Sequence, residues 1–352
     1  MKVAIKDLGE IITGNTPSKK DESFWNSDDI CFVKPDGIAD EGITLISNSN
    51  EYLSENARKK ARVVSKDAVF VTCIGSIGKI GIASDGDYAF NQQINVVIPN
   101  EKVLPRYLAY NLLFSKPRLE AIANAPVVPI INKTQFGDFM ISIEESTDKQ
   151  EQIVSTLDKL SGIICSRKAE LEELDNLIKA RFVELFGDPI TNTKQLETRD
   201  LKDVLVLKAG DFTAASDILD EPTETHKYPC YGGNGIRGYL EEYNQDGEYS
   251  LVGRQGALSG NVQFARGQFK NTEHALLVTP IVEMNSIWLN QLLLNLDLKR
   301  YQTGAAQPGL SVKNLQEIQI IMVSIEEQNF FSEFIKQVDK SKVVKRIKYV
   351  YF

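Results

Sequence analysis

The residues VTCIGSIGKIGIA at positions 71–83 run, after a short gap, into FNQQINVVIP at positions 90–99. A similar string occurs later in the chain, with LVGRQGALSGNVQF at 251–264 followed by NTEHALLVTP at 271–280. Several positions match at one common offset of 181 residues, namely Gly75 with Gly256, Pro99 with Pro280, Tyr107 with Trp288, and Leu108 with Leu289. Four matches in a single register are hard to obtain by chance, so the chain is predicted to contain a tandem duplication.

Each copy combines strand patterns with a helix pattern. Runs rich in β-branched and apolar residues, bounded by Gly, Asn or Pro, predict strands at 69–72, 94–98, 249–252 and 275–279. Helical spacing of apolar residues follows at 106–119 and 286–298. The predicted fold class is therefore α+β, with two similar units that each hold a twisted mixed β-sheet and short helices.

A long helix is predicted between the two copies. Positions from 153 to 185 alternate in steps of four and three, and Arg167 and Arg181 are the two polar members of the series. The eight apolar members are Ile153, Leu157, Leu160, Ile164, Leu171, Leu174, Ile178 and Leu185. This is the pattern of a coiled-coil seam, and the FGDP run at 186–189 ends it. The alternative is a long surface helix packed on one domain.

A second, shorter helix is predicted to supply the partner of that seam. Its apolar stripe begins at Phe331, Phe334 and Val338 and shifts phase to Val344, Ile347 and Tyr351. Antiparallel pairing of the two helices would relate the duplicated units by a pseudo-two-fold axis. A Glu-Gln pair is expected to open each helix, at 151–152 and 327–328. The expected bounds are 1–148 and 188–325 for the two duplicated domains, and 149–187 and 326–352 for the helices.

Composition limits the class of protein. The 352 residues are 42% hydrophobic and 25% charged, as in a soluble globular protein with two domains of ordinary size. No run reaches the roughly 18 apolar residues of a membrane span, and the N-terminus lacks the apolar core of a signal peptide, so we expect a cytoplasmic protein without a membrane partner. Four scattered cysteines and two histidines predict reduced thiols and no metal site.

The charge distribution limits how the chain binds nucleic acid. The net charge is −8, made up of −1 for residues 1–143, −4 for 144–186, −5 for 187–323 and +2 for 324–352. No segment forms a basic arm, so DNA binding must rely on local basic patches or on a partner. The chain alone is expected to bind DNA weakly.

The glycine loops of the two copies are the first candidate sites. The GSIGK run at 75–79 is not a nucleotide-binding loop, because Cys73 and Ile80 stand where that motif needs Gly and Ser or Thr. Two readings remain open, a structural turn between strands and a loop that brings the backbone close to DNA. In the second reading the contacting side chains are Ser76, Lys79, Arg254, Gln255, Ser259 and Asn261. Arg suits guanine, and Asn or Gln suits adenine.

Two further pairs of segments match between the copies. Asn91, Gln92 and Gln93 occupy the place of Thr272, Glu273 and His274, just before a strand. Their polarity fits either a turn or contact with base edges, with His274 as the candidate in the second copy. PIINKTQF at 129–136 matches PGLSVKNL at 308–315, and carries Lys133 where the other has Lys313. Phosphate contact and solvated surface are both open for these lysines.

Catalytic motifs are missing from the chain, which favours a binding module. Taken together, the heptad segment at 157–189, the two helix openings, TGAAQPGLSVKNL at 303–315 and LGEIITGNTPS at 8–18 (echoed at 201–213) resemble the specificity subunit of type I restriction–modification systems. The resemblance covers nearly the whole chain.

The resemblance implies separate roles for the domains, the helices and the partner subunits. Each recognition domain would read one half of a bipartite, gapped site in double-stranded DNA, and the helices would set the gap and dock two methyltransferase subunits. Those subunits would bring S-adenosylmethionine, and a motor–nuclease restriction subunit would bring ATP and Mg²⁺, so that this chain is non-catalytic and holds no cofactor. The second helix departs from the family pattern, since it lacks a counterpart of LIKARFVELFG at 177–187. Docking of the second methyltransferase copy is the function affected, and a recombined or truncated allele is one reading.

A second function class remains open from the sequence. In a non-enzymatic protein–protein adaptor, the two domains would bind proteins and the helical spacer would set their separation. Exchange of residues 1–143 between alleles separates the two, because only DNA recognition requires one half of a DNA motif to change.

Overall fold

The computed structural model describes residues 1–25, 27–123, 128–304 and 309–350, with the side chains of the last helix described as far as Lys342. The chain divides into two compact units, Met1–Ser166 and Arg167–Phe352. The predicted positions 305–308 and Tyr351, and the side chains of Val344 and Ile347, lie outside this description.

The first unit is built from eleven short strands and three short helices among its described residues, followed by the start of a long helix. The strands are β1 (Lys2–Ala4), β2 (Gly9–Thr13), β3 (Ile30–Val33), β4 (Ile43–Ile46), β5 (Glu51–Leu53), β6 (Val63–Val64), β7 (Val69–Thr72), β8 (Ile80–Ala83), β9 (Tyr88–Phe90), β10 (Ile94–Pro99) and β11 (Met140–Ser142). The helices are α1 (Pro105–Phe114), α2 (Lys116–Ile122), α3 (Lys133–Asp138) and the long α4 (Thr147–Phe186).

The second unit begins within α4 and repeats this order with fewer strands. Its strands are β12 (Thr198–Asp200), β13 (Leu205–Ala209), β14 (Tyr228–Gly232), β15 (Gly235–Leu240), β16 (Gln245–Gly253), β17 (Val262–Asn271), β18 (Ala275–Pro280) and β19 (Gln319–Ile321). Its helices are α5 (Leu201–Val204), α6 (Ser286–Asn295), α7 (Val312–Gln316) and α8 (Ile325–Val350).

The two units share one sheet topology. The main sheet of the first unit has the order β2-β10-β7-β8-β4, and that of the second has β13-β18-β16-β17-β14-β15. In both, the first four strands pair antiparallel and the fifth joins in parallel. The predicted α+β class, the mixed sheets and the four predicted strands are confirmed.

The predicted helix after each sheet is also confirmed, with one difference. The apolar pattern over 106–119 predicts a single helix, but the structure breaks it at Ser115 into α1 and α2. Pro117 accounts for the break, because its ring excludes the preceding residues from continuing the helix and it lacks the N–H that a helix interior uses.

The first part of α4 packs on the first unit through a face that the heptads do not use. Gln150 is fully buried, and its Nε2 donates to the backbone oxygens of Lys102 and Glu144 at 2.9 and 2.8 Å. Two turns on, the Asp158 carboxylate accepts from Arg106 Nε at 2.6 Å and from the Tyr110 hydroxyl at 2.6 Å. The seam residues Ile153, Leu160 and Ile164 remain exposed. Over this half, the alternative of a surface helix packed on one domain describes α4.

The second part of α4 pairs with α8, as the seam predicts. Phe182 and Phe186 meet Phe331 with ring centroids 5.5 Å apart in each case, while Asp175 bonds to Lys342 at 2.6 Å. Rising numbers along α4 meet falling numbers along α8, so the pairing is antiparallel.

One position of the heptad reading is wrong. The strict steps put Arg181 on the seam, but Phe182 is fully buried there and Arg181 is half-buried, with its guanidinium bonded to Glu184. A straight helix has 3.6 residues per turn, so its buried stripe drifts away from a strict seven-residue repeat. The stripe passes through Leu174, Ile178, Phe182 and Phe186.

The equivalent glutamines at the two helix openings are Gln150 and Gln328, which corrects the predicted pairing of Gln152 with Gln328. Gln328 is buried, and its Oε1 accepts from the Asn285 backbone N–H at 2.9 Å. Gln150 Oε1 accepts from the Leu104 backbone N–H at the same distance. Gln152, by contrast, is exposed. Each buried glutamine ties its long helix to the segment that starts α1 or α6.

In the described ranges, no helix is both long and apolar enough to cross a membrane.

Replacement of Phe182 by Ala should destabilise the second unit strongly. Phe182 is fully buried between Phe186 and Phe331, and removal of a buried aromatic ring costs about 3–5 kcal/mol. The neighbouring Val183 is exposed, so Val183→Ala is the matched control and should stay within about 0.5 kcal/mol of the parent chain. Urea unfolding of the full chain, followed by circular dichroism, measures both. Equal midpoints for the two variants would contradict this packing.

Candidate nucleic-acid interface

Three segments that the sequence singled out meet at one edge of the first unit. The Cys73 N–H donates to Gln93 O at 2.7 Å, and the Ile131 N–H donates to Cys73 O at 2.8 Å. The Gly75 N–H donates to Pro129 O at 2.9 Å. We call this region the loop edge of the first unit, defined by residues 73–79, 91–93 and 129–133.

The second unit repeats the two bonds that Cys73 makes. The Arg254 N–H donates to His274 O at 3.1 Å, and the Leu310 N–H donates to Arg254 O at 2.9 Å. The loop edge of the second unit is defined by residues 254–261, 272–274 and 309–313. Each bond has its counterpart in the first unit, with Cys73 equivalent to Arg254, Gln93 to His274 and Ile131 to Leu310.

A fourth segment reaches the same edge in both units, just after the first strand of each sheet. A Cβ built on Gly14 would lie 2.1 Å from Asn91 O, and one built on Gly210 would lie 2.2 Å from Asn271 O. Only glycine fits such a close approach of two backbones. The next residue donates its N–H to the facing strand, from Asn15 to Phe90 O at 2.9 Å and from Asp211 to Asn271 O at 3.2 Å.

The glycine loops owe their shape to left-handed backbone conformations. The φ angles are 77° and 75° at Gly75 and Gly78, and 69° and 81° at Gly256 and Gly260. A side chain is strained at these angles, which explains why the loops share glycines while their other residues differ. The structural-turn reading of the loops is therefore part of the answer.

The predicted contact residues of the first unit fall into two groups. Ser76, Gln92 and Lys133 are exposed. Asn91 is buried and donates from Nδ2 to Gln93 Oε1 at 2.8 Å. Gln93 itself is half-buried. The Lys79 side chain is 12% exposed and binds the Asp40 carboxylate at 2.9 Å.

The predicted residues of the second unit divide in the same way. Gln255 and Lys313 are exposed, and Arg254, Asn261 and His274 are half-buried. Ser259 is buried, and its hydroxyl donates to Gly256 O at 2.8 Å, so it shapes the glycine loop from within.

Basic residues that the sequence analysis did not select also reach the first loop edge. Asn15 holds the segment 60–62 there, since its Nδ2 donates to Lys60 O at 2.7 Å and its Oδ1 accepts from the Arg62 N–H at 3.0 Å. The side chains of Lys59, Lys60 and Arg62 are exposed, and none forms an ion pair with a described acidic residue. The run KKAR at 59–62 is the sequence feature that could have predicted this basic surface.

The second loop edge gains cations from a different part of its unit. Lys299 lies against the glycine loop, because a Cβ on Gly260 would come within 2.7 Å of Lys299 N. Arg300 follows it, and Arg237 packs its side chain on Gly232 beside the loop. All three are exposed and without an acidic partner in the part of the chain described. The sequence did not predict these three residues as contacts, because they are distant in sequence from the glycine loop.

Neither a reactive thiol nor a metal-binding cluster is found among the described residues of the loop edges. Burial raises the pKa of the Cys73 thiol to about 12, so this thiol stays protonated and unreactive at neutral pH. Among the described residues, no three His, Cys, Asp or Glu side chains are grouped so as to hold a metal ion. The arrangement presents hydrogen-bonding and cationic groups on a stiff frame, which suits binding.

Two glycine substitutions should separate backbone strain from crowding. Gly256→Ala places a Cβ in open space at a φ of 69°, and should cost about 1–2 kcal/mol through the left-handed conformation alone. Gly260→Ala adds a contact of 2.7 Å with the Lys299 backbone, so its cost should be clearly larger. Urea midpoints of the two variant chains test the order, and a Gly256→Ala chain as unstable as Gly260→Ala would contradict this loop geometry.

Comparison with known proteins places this architecture in a family. The model of the type I restriction modification DNA specificity domain matches residues 1–176 and again residues 193–348. The specificity subunit of the EcoprrI type I restriction enzyme of Escherichia coli is 30% identical over 340 residues, which cover 93% of this chain and 84% of that one. The MjaIX specificity subunit of Methanocaldococcus jannaschii is 27% identical over 222 residues, covering 61% of this chain and 50% of its own length.

Solved structures agree at the level of the fold. The S subunit of a type I restriction–modification system from M. genitalium matches with a TM-score of 0.58 at 17% identity, over 99% of this chain and 91% of that one. A chain from a study of the assembly and conformational transition of a type I system matches with a TM-score of 0.53 at 15% identity, over 99% and 93%. Because the family model matches both halves of the chain and the E. coli subunit matches nearly all of it, the chain belongs to the specificity subunits of type I restriction–modification systems, the non-catalytic DNA-recognition members of those complexes.

Proposed function

We propose that each unit reads one half of a bipartite, gapped site in double-stranded DNA through its loop edge. One observation carries the proposal: the same backbone hydrogen bonds hold both loop edges, while the side chains that project from them differ. Gln92 and Gln93 at the first loop edge are equivalent to Glu273 and His274 at the second. One scaffold with two sets of polar groups suits a protein that reads two different sequences.

The proposed contacts divide into base readout and phosphate positioning. Amide and guanidinium groups match the donor and acceptor patterns of base edges in the major groove, and we assign this role to Gln92, Gln93, Arg254, Gln255, Asn261 and His274, with Ser76 beside them. Isolated lysines suit phosphates, and we assign that role to Lys133, Lys313 and the cations at 59–62, 237 and 299–300. Asn91 and Ser259 bond within their own loop edges, and Lys79 binds Asp40 outside its loop. These three residues are proposed to hold the readout groups in place.

The long helices are proposed to set the gap between half-sites and to dock methyltransferase subunits, two in a full complex. S-adenosylmethionine would then reside in those subunits, and ATP with Mg²⁺ in the restriction subunits that join them, with no cofactor in this chain. The proposed domain bounds are 1–148, 149–187, 188–325 and 326–352. Because the chain is proposed to bind DNA inside the cell, we also propose a cytoplasmic location.

Methylome sequencing tests the proposal directly. Cells that express the chain with its methyltransferase subunit should show adenine methylation in a gapped, asymmetric motif. Exchange of residues 1–143 for the corresponding domain of another family member should change one half of that motif and leave the other half and the gap unchanged. If no motif appears while the two proteins still co-purify, the protein–protein adaptor replaces DNA recognition.

The phosphate assignment predicts a change in salt dependence. A plot of log K against log salt has a negative slope, and the double variant Lys59→Gln/Lys60→Gln should make this slope shallower by about 2. The reason is that each phosphate contact contributes about 0.9 to its magnitude. Discrimination between the target duplex and an unrelated duplex should stay the same, because lysine–phosphate contacts carry no sequence information. Fluorescence anisotropy of the complex between roughly 50 and 200 mM salt measures both quantities.

The matched control lies away from the loop edge, with Lys2 on the separate two-stranded sheet of β1 and β11 and Lys102 after the main-sheet strand β10. Lys2 and Lys102 are exposed and form no ion pair with a described acid, and Lys102 follows the carboxyl end of β10, whereas the loop edge is at its amino end. The double variant Lys2→Gln/Lys102→Gln should keep the parent slope. The same fall in slope for both double variants would contradict the assignment of phosphate contacts to the loop edge.

A further inference from the structure

The most exposed large apolar side chain in the described part of the molecule lies beside the second loop edge. Phe212 is 80% exposed and follows Asp211, the residue that bonds to the facing strand after β13. Exposed apolar groups are common on protein surfaces, so the exposure alone carries no function. The surroundings of this ring are what make it informative.

The backbone is fixed on both sides of Phe212. The Asp211 N–H donates to Asn271 O at 3.2 Å, and Asp211 O accepts from the Glu273 N–H at 3.1 Å. On the other side, the Thr213 N–H donates to Glu273 Oε2 at 3.2 Å. An aromatic ring on a free loop can fold back onto the protein, but this one is held outward between two anchored residues.

The equivalent position of the first unit is used differently. Asn15 matches Asp211, since both donate their N–H to the same place on the facing strand, and so Thr16 matches Phe212. The Thr16 hydroxyl donates to Gln92 Oε1 at 3.0 Å, so this side chain bonds to a residue of its own loop edge. The outward ring is therefore a property of the second unit and not a requirement of the shared frame.

Charge next to the ring limits what it can face. Hydrogen bonds from Asn244 at 2.8 Å and from Lys270 at 3.4 Å lower the pKa of Asp211, which is thus ionised at neutral pH. Glu273 lies on the other side of the ring's backbone and bonds to His274 at 3.1 Å. Two carboxylates disfavour a phosphate at this place. Base edges differ from phosphates in that they also carry amino donors and, on thymine, a methyl group that an apolar ring can contact. Leu258, also exposed, adds a second apolar group on the same loop edge.

We infer that the Phe212 ring contacts a nucleobase in the half-site that the second unit reads, and that it is a specificity-determining residue of that unit. The inference rests on the proposed function of the loop edges. Its chemistry is an apolar contact with a base, which occurs in two geometries. The ring packs on the methyl group of a thymine in the major groove, or it enters a base step as a wedge in the minor groove.

The test uses the complex of the full chain with its methyltransferase subunit and a duplex that carries the motif mapped by methylome sequencing. Phe212→Ala should weaken binding of this duplex by about tenfold, since stacking on one base contributes on the order of 1–3 kcal/mol. Phe212→Trp should bind within about threefold of the parent complex, because an aromatic face is retained. Neither change should move the urea midpoint of the chain, since the ring is exposed.

Base substitutions in the duplex identify the contact. Each thymine of the second half-site is replaced in turn by uracil, and each adenine by 2-aminopurine. In the methyl geometry, one uracil duplex loses about tenfold with the parent complex and nothing with Phe212→Ala, which is the coupling expected of two groups in contact. In the wedge geometry, one 2-aminopurine gains fluorescence on binding, and this gain disappears with Phe212→Ala.

A matched control lies just after the last strand of the main sheet. Ile281 is 56% exposed and follows the carboxyl end of β18, whereas the loop edge is at the amino end of that strand. Ile281→Ala should leave DNA affinity and every base coupling unchanged. The inference is overturned if Phe212→Ala binds and methylates like the parent, or if no base position couples to it. Failure of the proposed function is different, since the parent complex would then show no gapped motif at all.

Discussion

Two backbone hydrogen bonds at a single residue hold each loop edge together. Cys73 in the first unit and Arg254 in the second each donate one bond to the start of a strand and accept one from a segment more than fifty residues further on. Because each residue uses its own N–H and C=O, no side chain is needed to bring the three segments to one edge. The glycine loops, the readout groups and the helix N-termini of α3 and α7 all take their positions from this frame.

The frame also explains how an acidic chain is built for contact with DNA. Some basic residues near the first loop edge are already bound, as Arg58 is by Glu55 and Asp87, which together raise its pKa. The adjacent Lys59 and Lys60 have no such partner among the described residues. The net charge of −8 therefore describes the whole chain and not the surface presented at the loop edge, and local density decides whether phosphate is attracted.

Sequence periodicity predicted the parts of this fold that depend on backbone pattern. The duplication, the strands at 69–72 and 275–279, and the antiparallel pairing of α8 followed from spacing alone. Periodicity failed where three-dimensional drift or distant contacts decide the outcome. Phe182 took the seam position given to Arg181 because a straight helix does not keep a seven-residue repeat, and Lys299 joined the second loop edge through a contact with Gly260 that no local pattern encodes.

In the second unit, the buried aromatic cluster and the proposed contact residues lie in different places. The aromatic cluster of Phe182, Phe186 and Phe331 is buried and lies with α6, after the carboxyl end of β18, whereas the loop edge lies at the amino end of that strand. The exposed side chains of the edge, such as Gln92 and Gln255, face solvent, so their replacement removes little buried apolar area and leaves the unfolding free energy nearly unchanged. Backbone bonds keep the edge in shape whatever side chains it carries. A Thr at one position of the frame and a Phe at the equivalent one are then both compatible with the same fold, which is the physical condition for changing what each half reads without rebuilding the protein.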